Sequence, residues 1–191
     1  MSRLKLRLHG RLRDGDQEAL QADVAEMQEM LDSLLAYLAD GAEGGERART
    51  DLAALVRSVV HNAHAVGAQV ALEVTAAPLH AVVDAGAIRR AVTNLVENAL
   101  RHAGDATVSL MADRDQVRIA VRDHGPGIPA DQLAQVTMPF YRGDTARARD
   151  TTGMGMGLAV VDRVAQQHGG RLHLINADPG LKAELILPLV H

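Results

Sequence analysis

The sequence contains no cysteine and no tryptophan, and its only other aromatic residues are Phe140, Tyr37 and Tyr141. Without cysteine the chain can form neither a disulfide nor a thiolate metal site, which is compatible with a reducing compartment. Any metal must therefore be bound by oxygen or imidazole groups. Because aromatic side chains are so few, the core of the protein must be aliphatic.

The chain also lacks a long apolar run and a marked excess of charge of one sign. No stretch approaches the roughly 20 apolar residues that span a bilayer, and the basic N-terminal segment has no apolar signal-peptide core. The 20 basic and 24 acidic residues are interspersed and give a net charge of -4. We therefore predict a soluble, cytoplasmic segment that does not bind nucleic acid.

The first 40 residues have helical periodicity. In 16–40, apolar residues are separated alternately by four and three positions: Leu20, Val24, Met27, Leu31, Leu34 and Leu38. Leucines in 3–13 recur every four residues, and a glycine-containing break separates the two segments. The pattern predicts a helical hairpin over 1–40. This hairpin is expected to pack either on its own domain or on a second hairpin in a dimeric four-helix bundle.

Residues 41–49 are rich in glycine and charge and are predicted to be a linker, and a second domain is predicted over 50–191. In that domain Thr50 or Asp51 can cap a first helix, and Asp84 can cap a longer one. The other predicted helices are 85–102, 130–136 and 158–168. The predicted strands are 69–74, 79–83, 107–111, 116–121, 171–175 and 183–187. This mixture predicts an α+β fold, a two-layer α/β sandwich with helices on one face of a mixed sheet.

The helix after Asp84 carries two asparagines on one face. Asn94 and Asn98 are one turn apart, and Arg101 follows on nearly the same face. Asparagine disfavours a helix interior, so a functional reason is expected. A side-chain carbonyl can bind a hard cation, and an arginine can bind the phosphates that accompany it. Two solvated asparagines are the alternative.

Two glycine-rich motifs follow this helix. In the first, Asp123 ends a predicted strand and the turn at Gly125 and Gly127 lets its carboxylate accept from an exocyclic amine, although an ordinary loop is the alternative. In the second, 153–157, three alternating glycines begin a helix whose N-H groups favour phosphate. Its spacing fits neither the dinucleotide-binding fingerprint nor the P-loop. The polar segment between the motifs is typical of a lid.

Four motifs occur in order along the chain: NLVENALRH, DHGPGIP, PFYRGD, and GMGMGLAVVDRV followed by HGG. They resemble the N box, first glycine box, F box and second glycine box of bacterial two-component sensor histidine kinases of the osmosensor type. By this resemblance 50–190 is similar to the catalytic domain of the GHKL (HATPase_c) superfamily, which implies its Bergerat-type ATP-binding fold. Residues 3–40 are similar to the end of the dimerisation hairpin that precedes that domain.

The resemblance implies a site for ATP or ADP with Mg²⁺. Asn98 is implied to bind the metal, and Asn94, Asn98 and Arg142 are the implied catalytic residues. Phe140 and Tyr141 are implied to anchor the lid, with a purely hydrophobic role for Phe140 as the alternative. The implied nucleotide-binding residues are Asn94, Asn98, Arg101, His102, Asp123, Gly125, Gly127, Ile128, Tyr141, Arg142, Thr152, Gly153, Met154, Gly155, Met156, Gly157 and Leu158.

The expected chemistry is phosphotransfer rather than hydrolysis. Related ATPases carry a water-activating glutamate one turn before the metal-binding asparagine, where this chain has Asn94, while Glu97 points elsewhere. The intact parent, a homodimer anchored in the bacterial inner membrane, is expected to transfer the γ-phosphoryl to a histidine of the dimerisation domain for relay to a response regulator. The alternatives are a GHKL serine kinase acting on a sigma-factor regulator, an ATPase, or a nucleotide-sensing module without transfer.

The phosphate-accepting histidine is expected to be missing. In the family it lies in an H-(E/D)-x-x-x-P pattern on the first hairpin helix, and the chain begins at about the run that follows it. His9 has neither the acid nor the proline. We therefore expect a truncated hairpin that dimerises weakly at best and a chain that cannot phosphorylate itself. His61 and His64 have the spacing of metal ligands but no third ligand, so solvation is expected.

Overall fold

The computed structural model describes residues 45–74, 78–141 and 155–189, together with helical positions 24 and 28. The predicted hairpin over 1–40, apart from those two positions, lies outside the described residues, as do 142–154. In the described part no helix is long and apolar enough to cross a membrane.

The described residues from position 45 onward form three helices and seven strands. The helices are α1 (Leu52–Ala65), α2 (Ala85–Ala103) and α3 (Gly157–Gln167). The strands are β1 (Ala48–Asp51), β2 (Gln69–Val74), β3 (His80–Val83), β4 (Asp105–Ala112), β5 (Gln116–Arg122), β6 (Arg171–Asn176) and β7 (Leu181–Pro188). The main sheet has the order β2-β4-β5-β7-β6, in which only β2 and β4 are parallel, and β1 and β3 form a separate antiparallel ribbon.

The three helices pack against the main sheet as one layer. On the central strands, Ile119 pairs with Leu185 and Val117 with Leu187, and these four buried side chains share one face of the sheet. These side chains form one aliphatic core with helical residues such as Leu95 and Val161. The predicted α+β sandwich is therefore confirmed.

Two of the helices begin with an aspartate cap. Asp51 accepts hydrogen bonds from the N-H groups of Ala53 and Ala54, and the Ala54 bond lowers the pKa of this carboxyl. Asp84 accepts from the N-H of Ala87 at 3.0 Å. Helix α3 differs, because Met156 precedes it and provides no side-chain cap. Its first N-H groups therefore have no side-chain acceptor at the cap position.

Two local predictions differ from the structure. Strand β1 begins inside the predicted linker, because residues 48–51 pair with β3 over four positions. The helix predicted at 130–136 is a series of turns instead, with the N-H of Leu133 donating to Pro129 and that of Val136 to Gln132. A segment this short lacks stability as a helix unless a broad apolar face is buried.

Candidate functional site

The carboxylate of Asp123 lies at the end of β5 and is 5% exposed. Its Oδ1 accepts hydrogen bonds from the N-H of Gly125 at 2.9 Å and of Leu181 at 3.0 Å. The N-H of Asp123 in turn donates to the Leu181 carbonyl at 2.9 Å. Neither of these two N-H groups donates to Oδ2, so this second carboxylate oxygen is the candidate acceptor for a donor of a ligand.

Close backbone contacts at glycines surround this carboxylate. Gly180 has φ +101°, and a β-carbon there would overlap the Asp123 carbonyl oxygen. A β-carbon at Gly125 would lie 3.2 Å from the Ala103 β-carbon and 3.3 Å from the His102 carbonyl oxygen. The turn that follows Asp123 is thus packed directly against the C-terminal end of α2.

Asn176 holds the same turn from the other side. Its Oδ1 accepts from the N-H of Ile128 at 2.9 Å, and its Nδ2 donates to the Ile128 carbonyl at 2.6 Å. Sequence reasoning missed Asn176 and Gly180. Their only local signal is the turn-forming sequence Asp178-Pro179-Gly180, which does not reveal a contact 48 residues away.

A second contact fixes the first glycine motif to the chain after α2. The ring Nδ1 of His124 lies 2.6 Å from Asp105 Oδ2, and the His124 N-H donates to Asp105 Oδ1 at 3.4 Å. His102 is half-buried just before this point. The C-terminal end of α2 and the first glycine motif therefore form one continuous side of the candidate site.

The two asparagines of α2 are half-buried, whereas Glu97 is exposed. Asn94 faces the start of α3, because a β-carbon on Gly157 would lie 3.5 Å from its Oδ1. Asn98 is one turn further along the same face. The uncapped N-terminus of α3 thus lies beside an amide oxygen of α2, and its N-H groups and helix dipole favour an anion.

Phe140 and Tyr141, which lie inside the predicted lid, contact Gly155. The N-H of Phe140 donates to the Gly155 carbonyl at 3.1 Å, and a β-carbon on Gly155 would overlap the Tyr141 carbonyl oxygen. Phe140 has φ +66°, a left-handed conformation that is strained for an aromatic residue, and its side chain is 57% exposed.

The structure brings most of the predicted site residues to two regions of α2. Asp123, Gly125, Gly127, Ile128 and His102 lie at its C-terminal end, and Gly157 lies near Asn94, with Gly155 two residues before it in the chain. Arg101 is exposed. Arg142, Thr152, Gly153 and Met154 lie outside the described residues.

Two of the predicted residues can contribute only their backbone. Met156 and Leu158 are 2% and 8% exposed, so their side chains belong to the interior and only their N-H groups can face a ligand.

The ring Nε2 of His64 lies 2.6 Å from the Val70 carbonyl oxygen. The described residues contain no group of three or more candidate metal ligands of the His, Cys, Asp or Glu type.

Residues 83–191 match the family described as "Histidine kinase-, DNA gyrase B-, and HSP90-like ATPase". The probable sensor histidine kinase TcrY of Mycobacterium tuberculosis is 36% identical over 154 residues, which are 78% of this chain and 32% of TcrY. The chain therefore spans about a third of the length of that relative.

Solved structures agree with this match. The ATP binding domain of PrrB from Mycobacterium tuberculosis is 28% identical, with a TM-score of 0.64 over 76% of this chain and 99% of that one. The histidine kinase domain of the E. coli osmosensor EnvZ is 29% identical, with a TM-score of 0.60 over 78% of this chain and 91% of that one. The predicted resemblance to this superfamily is confirmed.

The contact at Gly180 predicts a specific loss of stability. Gly180→Ala forces alanine into a left-handed backbone conformation and also makes its β-carbon overlap Asp123. Gly67→Ala has only the first effect, because Gly67 has φ +80° and no atom lies within 4 Å of its β-carbon position. Urea unfolding should give a loss of about 1–2 kcal/mol for Gly67→Ala and a further 1–3 kcal/mol, roughly, for Gly180→Ala. Equal losses would contradict the packing described for Asp123.

Proposed function

Because the chain belongs to the family of histidine kinase-, DNA gyrase B- and HSP90-like ATPases, we propose that it binds Mg²⁺-ATP as the catalytic part of a bacterial sensor histidine kinase. In the intact parent, the γ-phosphoryl goes to a histidine of the dimerisation domain and then to an aspartate of a response regulator. The parent is proposed to be a homodimer anchored in the inner membrane, with this part in the cytoplasm.

The observation that carries the proposal is the order of groups along α2. The Asp123 turn packs against His102 and Ala103, and the uncapped start of α3 lies against Asn94. Asn94 and His102 are eight residues apart, which is about 12 Å along a helix. This separation suits a nucleotide whose base lies at the C-terminal end of α2 and whose phosphates lie near its middle.

At the base end, Asp123 is proposed to accept a hydrogen bond from the adenine amino group. Its Oδ1 is held by two backbone N-H groups, so Oδ2 is the oxygen that faces the ligand. Gly125 and Gly127 let the backbone approach the ring, and His102 and Ile128 complete this end of the proposed site. Tyr141, which contacts Gly155, is also proposed to contact the nucleotide.

At the phosphate end, Asn98 is proposed to bind Mg²⁺, with Asn94 beside it. Two half-buried amide oxygens on one helix face suit this ion, because Mg²⁺ takes oxygen ligands and keeps several waters. When bound, the metal neutralises charge on the phosphates. The N-H groups of 153–158 are proposed to bind the phosphate oxygens, with Thr152, Arg101 and Arg142 beside them.

The proposed chemistry is transfer to an imidazole. A ring nitrogen of the acceptor histidine attacks the γ-phosphorus, and the bond to the bridging oxygen breaks to release ADP. The chain aligns the phosphates and neutralises their charge, as expected for phosphoryl transfer. Asn94 has no basic group with which to activate water, and Glu97 is exposed, so hydrolysis is disfavoured.

Nucleotide titration of Asp123→Asn tests the base end. Asparagine keeps an Oδ1 for the N-H groups of Gly125 and Leu181 but presents a donor where Oδ2 was, so the fold should persist. Calorimetry should give a loss of ATP affinity of about 10- to 100-fold, the effect of one lost hydrogen bond to a charged group, and a smaller loss for the 6-keto analogue ITP. Asn98→Ala serves as the matched variant, since it should weaken binding only when Mg²⁺ is present. Unchanged affinity in both variants would refute the proposed site.

Transfer can be tested with a separately produced dimerisation hairpin from a sensor histidine kinase of this family. In this chain no histidine is followed by an acidic residue, so the added hairpin must supply the acceptor. With γ-labelled ATP, acid-labile label should appear on the hairpin and not on this chain, and Asn98→Ala should abolish it. Acid-stable label on serine would favour the serine-kinase alternative, and acid-labile label on this chain alone would contradict the missing acceptor.

A further inference from the structure

His168 joins the C-terminal end of α3 to the N-terminal end of α2. Its side chain is buried, at 8% exposure. The ring Nε2 accepts a hydrogen bond from the N-H of Asp84 at 3.1 Å, and Nδ1 lies 2.8 Å from the Val164 carbonyl oxygen. A backbone N-H can only donate and a carbonyl can only accept, so the ring is neutral, with its hydrogen on Nδ1.

The partner of this ring is the residue that starts α2. Asp84 caps that helix through the hydrogen bond from the Ala87 N-H at 3.0 Å, and its carbonyl accepts from the Ile88 N-H at 3.0 Å. A hydrogen bond to the Asp84 N-H therefore fixes the first turn of α2 relative to the last turn of α3. The guanidinium of Arg47 also reaches this junction and donates to the Gln167 carbonyl.

The two helices are antiparallel neighbours that meet at two joints. At one end His168 meets Asp84, and at the other Asn94 meets Gly157. Asp84 and Asn94 are ten residues apart and Gly157 and His168 are eleven, which corresponds to about 15 Å and about 16.5 Å of helix. The lengths of α2 and of α3 between the two joints are therefore nearly equal.

Both helices contribute apolar side chains between the joints. Helix α2 contributes the buried residues Ala87 and Ala91 to the core, and α3 contributes Val160 and Val164. Contacts of this type are not directional, so they resist separation of the helices more than a small axial displacement. A directional hydrogen bond at the joint is suited to fix the axial position.

We propose that His168 is a positioning residue that, through the Asp84 N-H, sets the axial position of Asn94 and Asn98 against the N-terminus of α3. The inference rests on the proposed function, because its consequence is the geometry of the Mg²⁺-phosphate end. The base end depends on Asp123 and on its packing against the other end of α2, so a small displacement of α3 along α2 leaves that packing unchanged.

Two substitutions separate the two ring nitrogens. In His168→Gln the side-chain oxygen can take the place of Nε2 and accept from Asp84, whereas His168→Asn can replace only the donor at Nδ1. His64→Asn is the matched control, because His64 also contacts a backbone carbonyl but lies on α1. Folding of each variant is verified by thermal unfolding, and affinities for adenosine and for ADP with Mg²⁺ are then measured.

His168→Asn should weaken ADP-Mg²⁺ binding about tenfold while adenosine binding changes less than about twofold. His168→Gln should retain most of the ADP-Mg²⁺ affinity, and His64→Asn should leave both ligands unaffected. Equal losses for both ligands, or an unchanged ratio in His168→Asn, would overturn the positioning role. If wild type binds ADP-Mg²⁺ no more tightly than adenosine, the proposed function fails instead, so the two failures are distinguishable.

Discussion

The buried carboxylate of Asp123 is the group on which the geometry of the site depends. Its Oδ1 accepts hydrogen bonds from two backbone N-H groups, that of Gly125 in its own turn and that of Leu181 on the neighbouring strand. Because Gly180 presses on the same residue, the carboxylate has little freedom to move. This arrangement explains why a substitution to alanine is a poor probe of ligand binding. It would leave two buried N-H groups without an acceptor and damage the turn as well as the site.

The second constraint is the pairing of α2 with α3. The cap of α2 is an aspartate, whereas α3 begins at Met156 without a side-chain cap. The difference leaves the N-terminus of α3 able to accept an external anion beside Asn94. Among the described residues, the N-termini of α1 and α2 have an aspartate cap, and the N-terminus of α3, which is proposed to bind phosphate, has none from Met156.

The sequence predicted what depends on local patterns. The helical spacing of Asn94 and Asn98, the strand ending at Asp123 and the glycines that open α3 were all recognisable, as was the aspartate at position 84. It could not reveal contacts that only the fold creates, such as those of Asn176 with Ile128. Strand β1 was missed because Ala48 and Arg49 resemble a linker and Thr50 or Asp51 was predicted to cap a helix, whereas pairing with β3 stabilises a strand over all four residues. The turns at 130–137 reflect the reverse case, a local helical preference without enough burial.

The central claim is that phosphate binds at the start of α3 while the base binds at the Asp123 turn, and amide NMR spectra test it most directly. During titration with ADP and Mg²⁺, the amide signals of Gly155, Met156 and Gly157 should shift together with those of Gly125 and Gly127. Titration with adenosine should shift only the second set. Signals at 155–157 that do not move with saturating ADP and Mg²⁺, or that move equally with adenosine, would contradict the account.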